Sequence, residues 1–148
     1  MRETTTQKAI IDYLKKIGWG TSIDANELKE HGVDIRVRYD RYPRYWWIEV
    51  KGDPSTKAKY PDGQRHKYFE VAIGQIITRM HLKAKYRFGI GFPESFKDLV
   101  KEHLTYNVCT QLNLYVFLVA NKNNVELLDW RDIKAQHDQK NVRRKNNR

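Results

Sequence analysis

The chain has 148 residues, 40% of them hydrophobic and 31% charged. That is the composition of one folded domain of common size; it excludes both a disordered chain and multidomain machinery. Twenty-eight Lys and Arg against 18 Asp and Glu leave a net charge of +10, a self-repulsion that an anionic partner would offset, so nucleic acid leads the partner classes.

In chain order, Ile10, Ile11, Leu14 and Ile17 share one helical face, which predicts a helix over Thr6 to Ile17. Thr4 to Thr6 offer N-caps for it and Gly18 ends it. Trp19 to Ile23 reads as a short strand and Asp24 to His31 as a polar turn or helical piece before Gly32. Val33, Ile35 and Val37 alternate with Asp34, Arg36 and Arg38, the pattern of a half-buried strand. After the turn Asp40-Arg41-Tyr42-Pro43, Trp46, Ile48 and Val50 alternate with Trp47, Glu49 and Lys51, so the two strands should form an antiparallel hairpin.

Gly52 to Arg65 reads as a long, mobile, basic loop. Tyr68, Val71, Ala72, Ile76, Ile77 and Met80 then predict a helix running to about Lys83. Tyr86 to Ile90 reads as a strand, Glu94 to His103 as a helix and Leu114 to Ala120 as a buried central strand. Asn121 to Asn124 turns the chain into a last strand, Val125 to Trp130. Arg131 to Arg148 holds seven Lys or Arg against two Asp, about half the net charge, with almost no apolar periodicity; it is expected to be a disordered basic tail behind a domain of residues 1–130.

Several chemistries find no support. There is no GxxxxGK[ST] loop, and Gly89-Ile90-Gly91 is not followed by a third glycine at dinucleotide-binding spacing. The five histidines show no HExxH or Cys/His pairing, so zinc chemistry has no ligand set and the histidines read as surface residues. Cys109, the only cysteine, excludes an intrachain disulfide and reads as a small buried residue rather than a nucleophile; a cytoplasmic setting is expected. Leu114 to Ala120 is the longest apolar run, too short for a spanning helix, and the first residues do not open a secretory signal, so no membrane partner is expected.

What remains is an acid-any-Lys triplet. It occurs four times, as Glu27-Leu28-Lys29, Glu49-Val50-Lys51, Asp132-Ile133-Lys134 and Asp138-Gln139-Lys140. Only Glu49 and Lys51 lie on a strong strand pattern, where residues two apart share a face, and only there does a partner strand offer another acid, Asp34. Two carboxylates at about 4 Å repel by roughly 4 kcal/mol at an effective dielectric of 20, so a cation between them is needed for both to stay ionised. Oxygen ligands in an open site favour Mg²⁺ or Mn²⁺. Such an ion acidifies a water and polarises a phosphoryl oxygen, and an adjacent lysine orients the water or offsets developing charge.

The order of a helix, Gly32-Val33-Asp34-Ile35, a hairpin, Trp47-Ile48-Glu49-Val50-Lys51-Gly52 and a helix bearing Gly74-Gln75 resembles the PD-(D/E)XK, or restriction-endonuclease-like, nucleases over roughly residues 6–130. The resemblance implies an α/β core with a mixed central sheet flanked by helices. It implies metal ligation by Asp34, Glu49 and the Val50 carbonyl, with Lys51 catalytic and Gln75 as the glutamine that many branches carry on the following helix. In pattern it is nearest to archaeal Holliday-junction resolvases, intron-homing relatives and cyanobacterial excision-controlling proteins. The resolvases carry a glutamate eleven residues before the glycine that ends the first helix, where this chain has Gln7, with Glu3 as a substitute if the helix starts earlier; Val33 stands where proline is usual.

The expected activity is therefore Mg²⁺-dependent endonucleolytic hydrolysis of DNA phosphodiesters, with Mn²⁺ substituting. A catalytically inactive nucleic-acid-binding module of the same fold, or an RNA-directed nuclease or toxin, are the alternatives. Cutting two strands with one site per chain implies a homodimer or larger symmetric oligomer. Arg36, Arg38, Arg41 and Arg44 around the hairpin, Lys57, Lys59, Arg65 and Lys67 around the loop, and Arg143, Arg144 and Lys145 in the tail are the expected backbone contacts. Tyr39, Tyr42, Tyr45 and Trp47 interleave with these arginines and either stack on bases or cover the sheet.

Overall fold

The computed structural model describes residues 1–21, 34–80 and 85–147. Its elements run α1 (Glu3–Lys16), β1 (Ile35–Arg38), β2 (Tyr45–Val50), α2 (Pro61–Thr78), β3 (Tyr86–Pro93), a 3₁₀ turn (Glu94–Phe96), α3 (Lys97–His103), α4 (Tyr106–Leu112), β4 (Leu114–Asn121), β5 (Asn124–Leu128) and α5 (Trp130–Asn146). The strands form one sheet in chain order, β1-β2-β3-β4-β5. The β1/β2 and β4/β5 pairs are antiparallel, while β2/β3 and β3/β4 are parallel. This is an α/β fold with a mixed five-stranded sheet flanked by helices, the class expected from the sequence.

Chain order explains the layers. Both parallel crossovers advance in the same direction across the sheet, and right-handed crossovers that do so lay their helices on one face. Phe69, Ala72 and Ile76 of α2, Val100 of α3, Cys109 of α4 and Ile133 of α5 accordingly pack against Trp47, Phe88, Ile90, Phe92, Val116 and Leu118. The opposite face is left to α1, whose Ala9, Ile10 and Leu14 cover Ile35, Val37, Trp46, Ile48, Val50, Phe117 and Val119. Ile10 lies so close over Gly91 that a Cβ there would collide with its Cδ1.

Several boundaries differ from the sequence reading. α1 begins at Glu3, so Thr4 to Thr6 lie inside it instead of capping it; the first turn closes on the Arg2 carbonyl, which accepts from Thr5 N, Thr6 N and the Thr6 hydroxyl. The long loop is shorter than expected because Pro61, pre-set for the first helical position, starts α2. Gly52 and Pro54 in that loop are buried. α2 ends at Thr78, and the expected continuation through 81–83 lies outside the described residues. β3 runs on to Pro93, and Trp130, expected to close the last strand, opens α5. Trp19 forms an isolated antiparallel bridge with Tyr39; the rest of the expected strand to Ile23, the Asp24 to His31 piece, Gly32 and Val33 lie outside the described residues.

Two helices were not anticipated. α4 starts at Thr105, whose hydroxyl accepts from Val108 N at 3.4 Å, and stops at Asn113 in the left-handed region. The expected disordered tail is instead α5, launched by a reciprocal cap in which Asp129 accepts from Arg131 N and Asp132 N while Asp132 accepts from Asp129 N. Buried Ile133 and half-buried Trp130 anchor its first turn to the sheet; beyond His137 every described residue is exposed.

Candidate active site

The hairpin register pairs Ile35 with Ile48 and Arg36 with Trp47. Continued by one residue, it sets Asp34 directly opposite Glu49, and directly opposed residues share a face. Strand alternation adds Lys51 to that face, the one that α2 covers. The three lie at the C-terminal end of β2, whose partner β3 is parallel; the ends of parallel strands are where α/β sheets open toward ligands.

Asp34 is fixed by two contacts. Its Oδ2 accepts from Val50 N at 2.6 Å, so the carboxylate closes the hairpin where the β1 ladder has ended. Its carbonyl accepts from Gln7 Nε2 at 2.5 Å, which ties the first helix to the residue that leads into β1. Glu49 is only 2% exposed, an ionisable carboxyl in a largely apolar wall. Burial, then the charge of Asp34 and a hydrogen bond shared with it, push its carboxyl up from 4.5 to about 7, against the pull of Arg79 and Lys51. Arg79 Nε stands 3.4 Å from Glu49 Oε1, an oxygen that makes no hydrogen bond among the described residues.

Lys51 donates its backbone N–H to Gly91 O at 3.0 Å. Its side chain borders an open cleft of about 510 Å³ with Arg2, Glu3, Gly52, Asp53, Lys67, Tyr68 and Val71. Because α1 starts early, Glu3 reaches this cleft while Gln7 sits on Asp34. The start of α1 is pressed against the loop after Lys51: Asp53 N bonds Met1 O at 2.8 Å, the Met1 amino group meets Asp53 Oδ2 at 2.5 Å, and Asp53 also accepts from Ser95. A Cβ on Gly52 would collide with Glu3 N.

The carboxylate pair therefore suits a hard divalent cation: two oxygen side chains, one with an unsatisfied buried oxygen, beside a lysine and an open cleft. No group of three or more His, Cys, Asp or Glu side chains placed to hold a metal occurs among the described residues, so backbone oxygen and water would complete the shell. Gln75 is half-buried with its Oε1 free of hydrogen bonds, and no hydrogen bond joins it to Lys51 among the described residues.

The expected phosphate contacts divide. Arg36 lies over the rings of Tyr45 (5.4 Å) and Trp47 (5.9 Å). Arg38 donates to Tyr39 O at 3.0 Å, and Arg65 is paired with Asp62 at 2.8 Å and Asp53 at 3.6 Å. Arg41, Lys57, Lys59, Lys67, Arg143, Arg144 and Lys145 are exposed and Arg44 is half-buried. Tyr45 stacks on Tyr86, Trp47 is buried and Tyr39 packs on Trp19, so these aromatics cover the sheet, whereas Tyr42 is exposed. Cys109 is buried, which pushes its thiol up to about 11, far from nucleophilic use. Glu27-Leu28-Lys29, His31 and His81 lie outside the described residues. Arg79 is the site residue that the sequence reading missed, although its place four residues after Gln75 sets both on one side of α2.

No family model and no curated protein matches the chain. Two solved structures share its fold. An XisH family protein from Nostoc punctiforme PCC 73102 superposes with a TM-score of 0.50 at 13% identity, covering 84% of this chain and 99% of that one. An fdxN element excision controlling factor protein from Anabaena variabilis gives 0.50 at 14% identity, covering 83% and 96%. The likeness is one of architecture: the mixed sheet flanked by helices.

Proposed function

We propose that this protein is a metal-dependent endonuclease of the restriction-endonuclease-like type, hydrolysing phosphodiester bonds in DNA. The observation that carries this reading is the meeting of Asp34 and Glu49 on one face of the hairpin, with Lys51 two residues on, at the mouth of a parallel strand. Asp34 and Glu49 would hold Mg²⁺ or Mn²⁺, with the Val50 carbonyl as the adjacent backbone oxygen. When bound, the ion supplies Lewis-acid polarisation of the phosphoryl oxygen and a more acidic water.

The chain's own groups do the rest. Lys51, at the edge of the open cleft, orients the attacking water and offsets charge on the phosphorane-like transition state. Gln7 holds Asp34 through its carbonyl, and Lys67 and Arg2 on the cleft wall attract the phosphate backbone. The basic outer turns of α5 would add contacts that position DNA without reading it. A symmetric pair of chains would bring one site to each strand.

A binding module without turnover is the second reading. It is favoured by Gln7, whose amide is engaged with the Asp34 backbone where the resolvases that the sequence resembles carry an acid.

Nicking of supercoiled plasmid at millimolar Mg²⁺ separates the two. The expected outcome is activity in the wild type, reduced at least about 100-fold in Lys51→Ala and Glu49→Gln. DNA binding with no nicking in any variant would leave only the binding module. Preference for structured RNA over plasmid and branched DNA would redirect the activity.

A further inference from the structure

The pair Glu49–Arg79 has features of a replaceable ion pair. Its anion is held in the wall at 2% exposure, while the Arg79 side chain is 30% exposed, at the C-terminal end of α2 where the helix gives way to a turn. Its 3.4 Å separation involves a Glu49 oxygen that takes no hydrogen bond among the described residues. Charge is balanced without any added ion: Asp34 and Glu49 face Lys51 and Arg79. A divalent cation arriving between the carboxylates brings two further positive charges into a low-dielectric wall, where like charges a few ångströms apart repel by several kcal/mol. One of the two resident cations must move outward. Arg79 is the cation whose guanidinium stands against the Glu49 oxygen that the ion would take, 3.4 Å away, with its side chain 30% exposed.

We propose that Arg79 is the resident counter-charge of this carboxylate pair, a positioning residue that holds Glu49 ready and competes with the divalent ion for it. The inference rests on the metal-binding reading above. Removing Arg79 then has two opposed effects. Without metal, two carboxylates share a wall with one cation fewer, so the protein loses stability; with metal, the competitor is gone, so the ion binds more tightly. A guanidinium serving only as structural support would give the first effect without the second.

Mn²⁺ titration followed by the loss of the free-ion electron paramagnetic resonance signal reads the second effect directly, on the full chain. Wild type, Arg79→Met, Arg79→Lys and Glu49→Gln are compared, alongside melting temperatures in EDTA. The expected result is a Kd for Mn²⁺ about 3- to 10-fold lower in Arg79→Met, restored toward wild type in Arg79→Lys, with binding lost in Glu49→Gln. In EDTA, Arg79→Met melts lower, and less so when Glu49→Gln is already present. Equal or weaker Mn²⁺ binding by Arg79→Met, with wild type binding normally, overturns the competition and leaves the metal site standing. Absence of binding in wild type and Arg79→Met alike overturns both. Should Arg79→Met fail to fold, the wild-type protein still answers. The Arg79 Nε–H resonance should shift with the same midpoint as Mg²⁺ binding, and an unmoved resonance under saturating Mg²⁺ overturns the proposal.

Discussion

The two faces of β2 carry the same strand into two kinds of wall. Toward α1 the strand presents Trp46, Ile48 and Val50, each at most 1% exposed and packed on aliphatic or aromatic neighbours. Toward α2 it presents Trp47 and then Glu49, which is as deeply buried but ionisable. The first face follows from hydrophobic burial alone. The second departs from it at one residue, and a buried carboxyl is destabilising unless paired. The departure sits where the strand ends and Lys51, two residues on, meets an open cleft.

The contrast breaks most strongly on its apolar side. Trp46→Ala removes a fully buried ring that meets Trp19, Tyr115 and Phe117 edge-on and should cost about 3–5 kcal/mol in urea unfolding. Plasmid nicking by the fraction that stays folded should be nearly unchanged, because no acid of the site touches that ring. A loss of activity without loss of stability would mean that the α1 face takes part in catalysis.

At the junction of the two faces, Gly52→Ala sharpens the comparison. The added methyl meets the backbone of Glu3 and Arg2, so α1 must retreat from the loop after Lys51. The expected cost is about 1–3 kcal/mol, with nicking falling further than Trp46→Ala makes it fall, since Lys51 loses its backing. Equal effects of the two substitutions on activity would argue against a fixed loop being needed.

The contrast also shows in pH. The Glu49 carboxyl titrates near 7 in the folded protein and near 4.5 when unfolded, so between those values the folded state binds more protons. Its contribution is full below about pH 4.5 and is lost as pH rises through about 7. Metal-free protein should therefore lose roughly 2–3 kcal/mol between pH 5 and pH 8, one pKa unit being worth about 1.4 kcal/mol. Glu49→Gln should flatten that slope, and Mg²⁺ should raise the melting temperature more at pH 8 than at pH 5, because proton and ion compete for the same oxygens. A slope unchanged by Glu49→Gln would move the titration to another group.

Period-two alternation made the hairpin and its acidic face legible, because a one-residue slip would turn Ile35, Val37, Ile48 and Val50 out of the core. Gln7 was legible as a position on α1 but not as a donor to Asp34 O, a contact spanning 27 residues. Arg79 was hidden for the same reason: pairing across folded chain has no local signature. α4 buries only Cys109 and so has no apolar stripe to read. α5 has the opposite problem, since Lys140, Arg143, Arg144 and Lys145 imitate a solvated tail, while its start is set by the small signal of Asp129, Asp132 and Ile133. Thr4 to Thr6 look like caps, yet the fold pulls the helix back to Glu3 through contacts with Asp53.

The sheet's strand sequence in space repeats its sequence along the chain. Each strand emerging from the ribosome thus meets a finished edge and never has to insert between two others, which keeps loop-closure costs low during synthesis. Glu3, Gln7, Asp34, Glu49, Lys51, Gln75 and Arg79 all precede residue 80. The residues of the candidate site therefore leave the ribosome before β3, β4, β5 and α5, whose Phe88, Ile90, Val116, Leu118, Leu128 and Ile133 complete the core on the α2 side of the sheet.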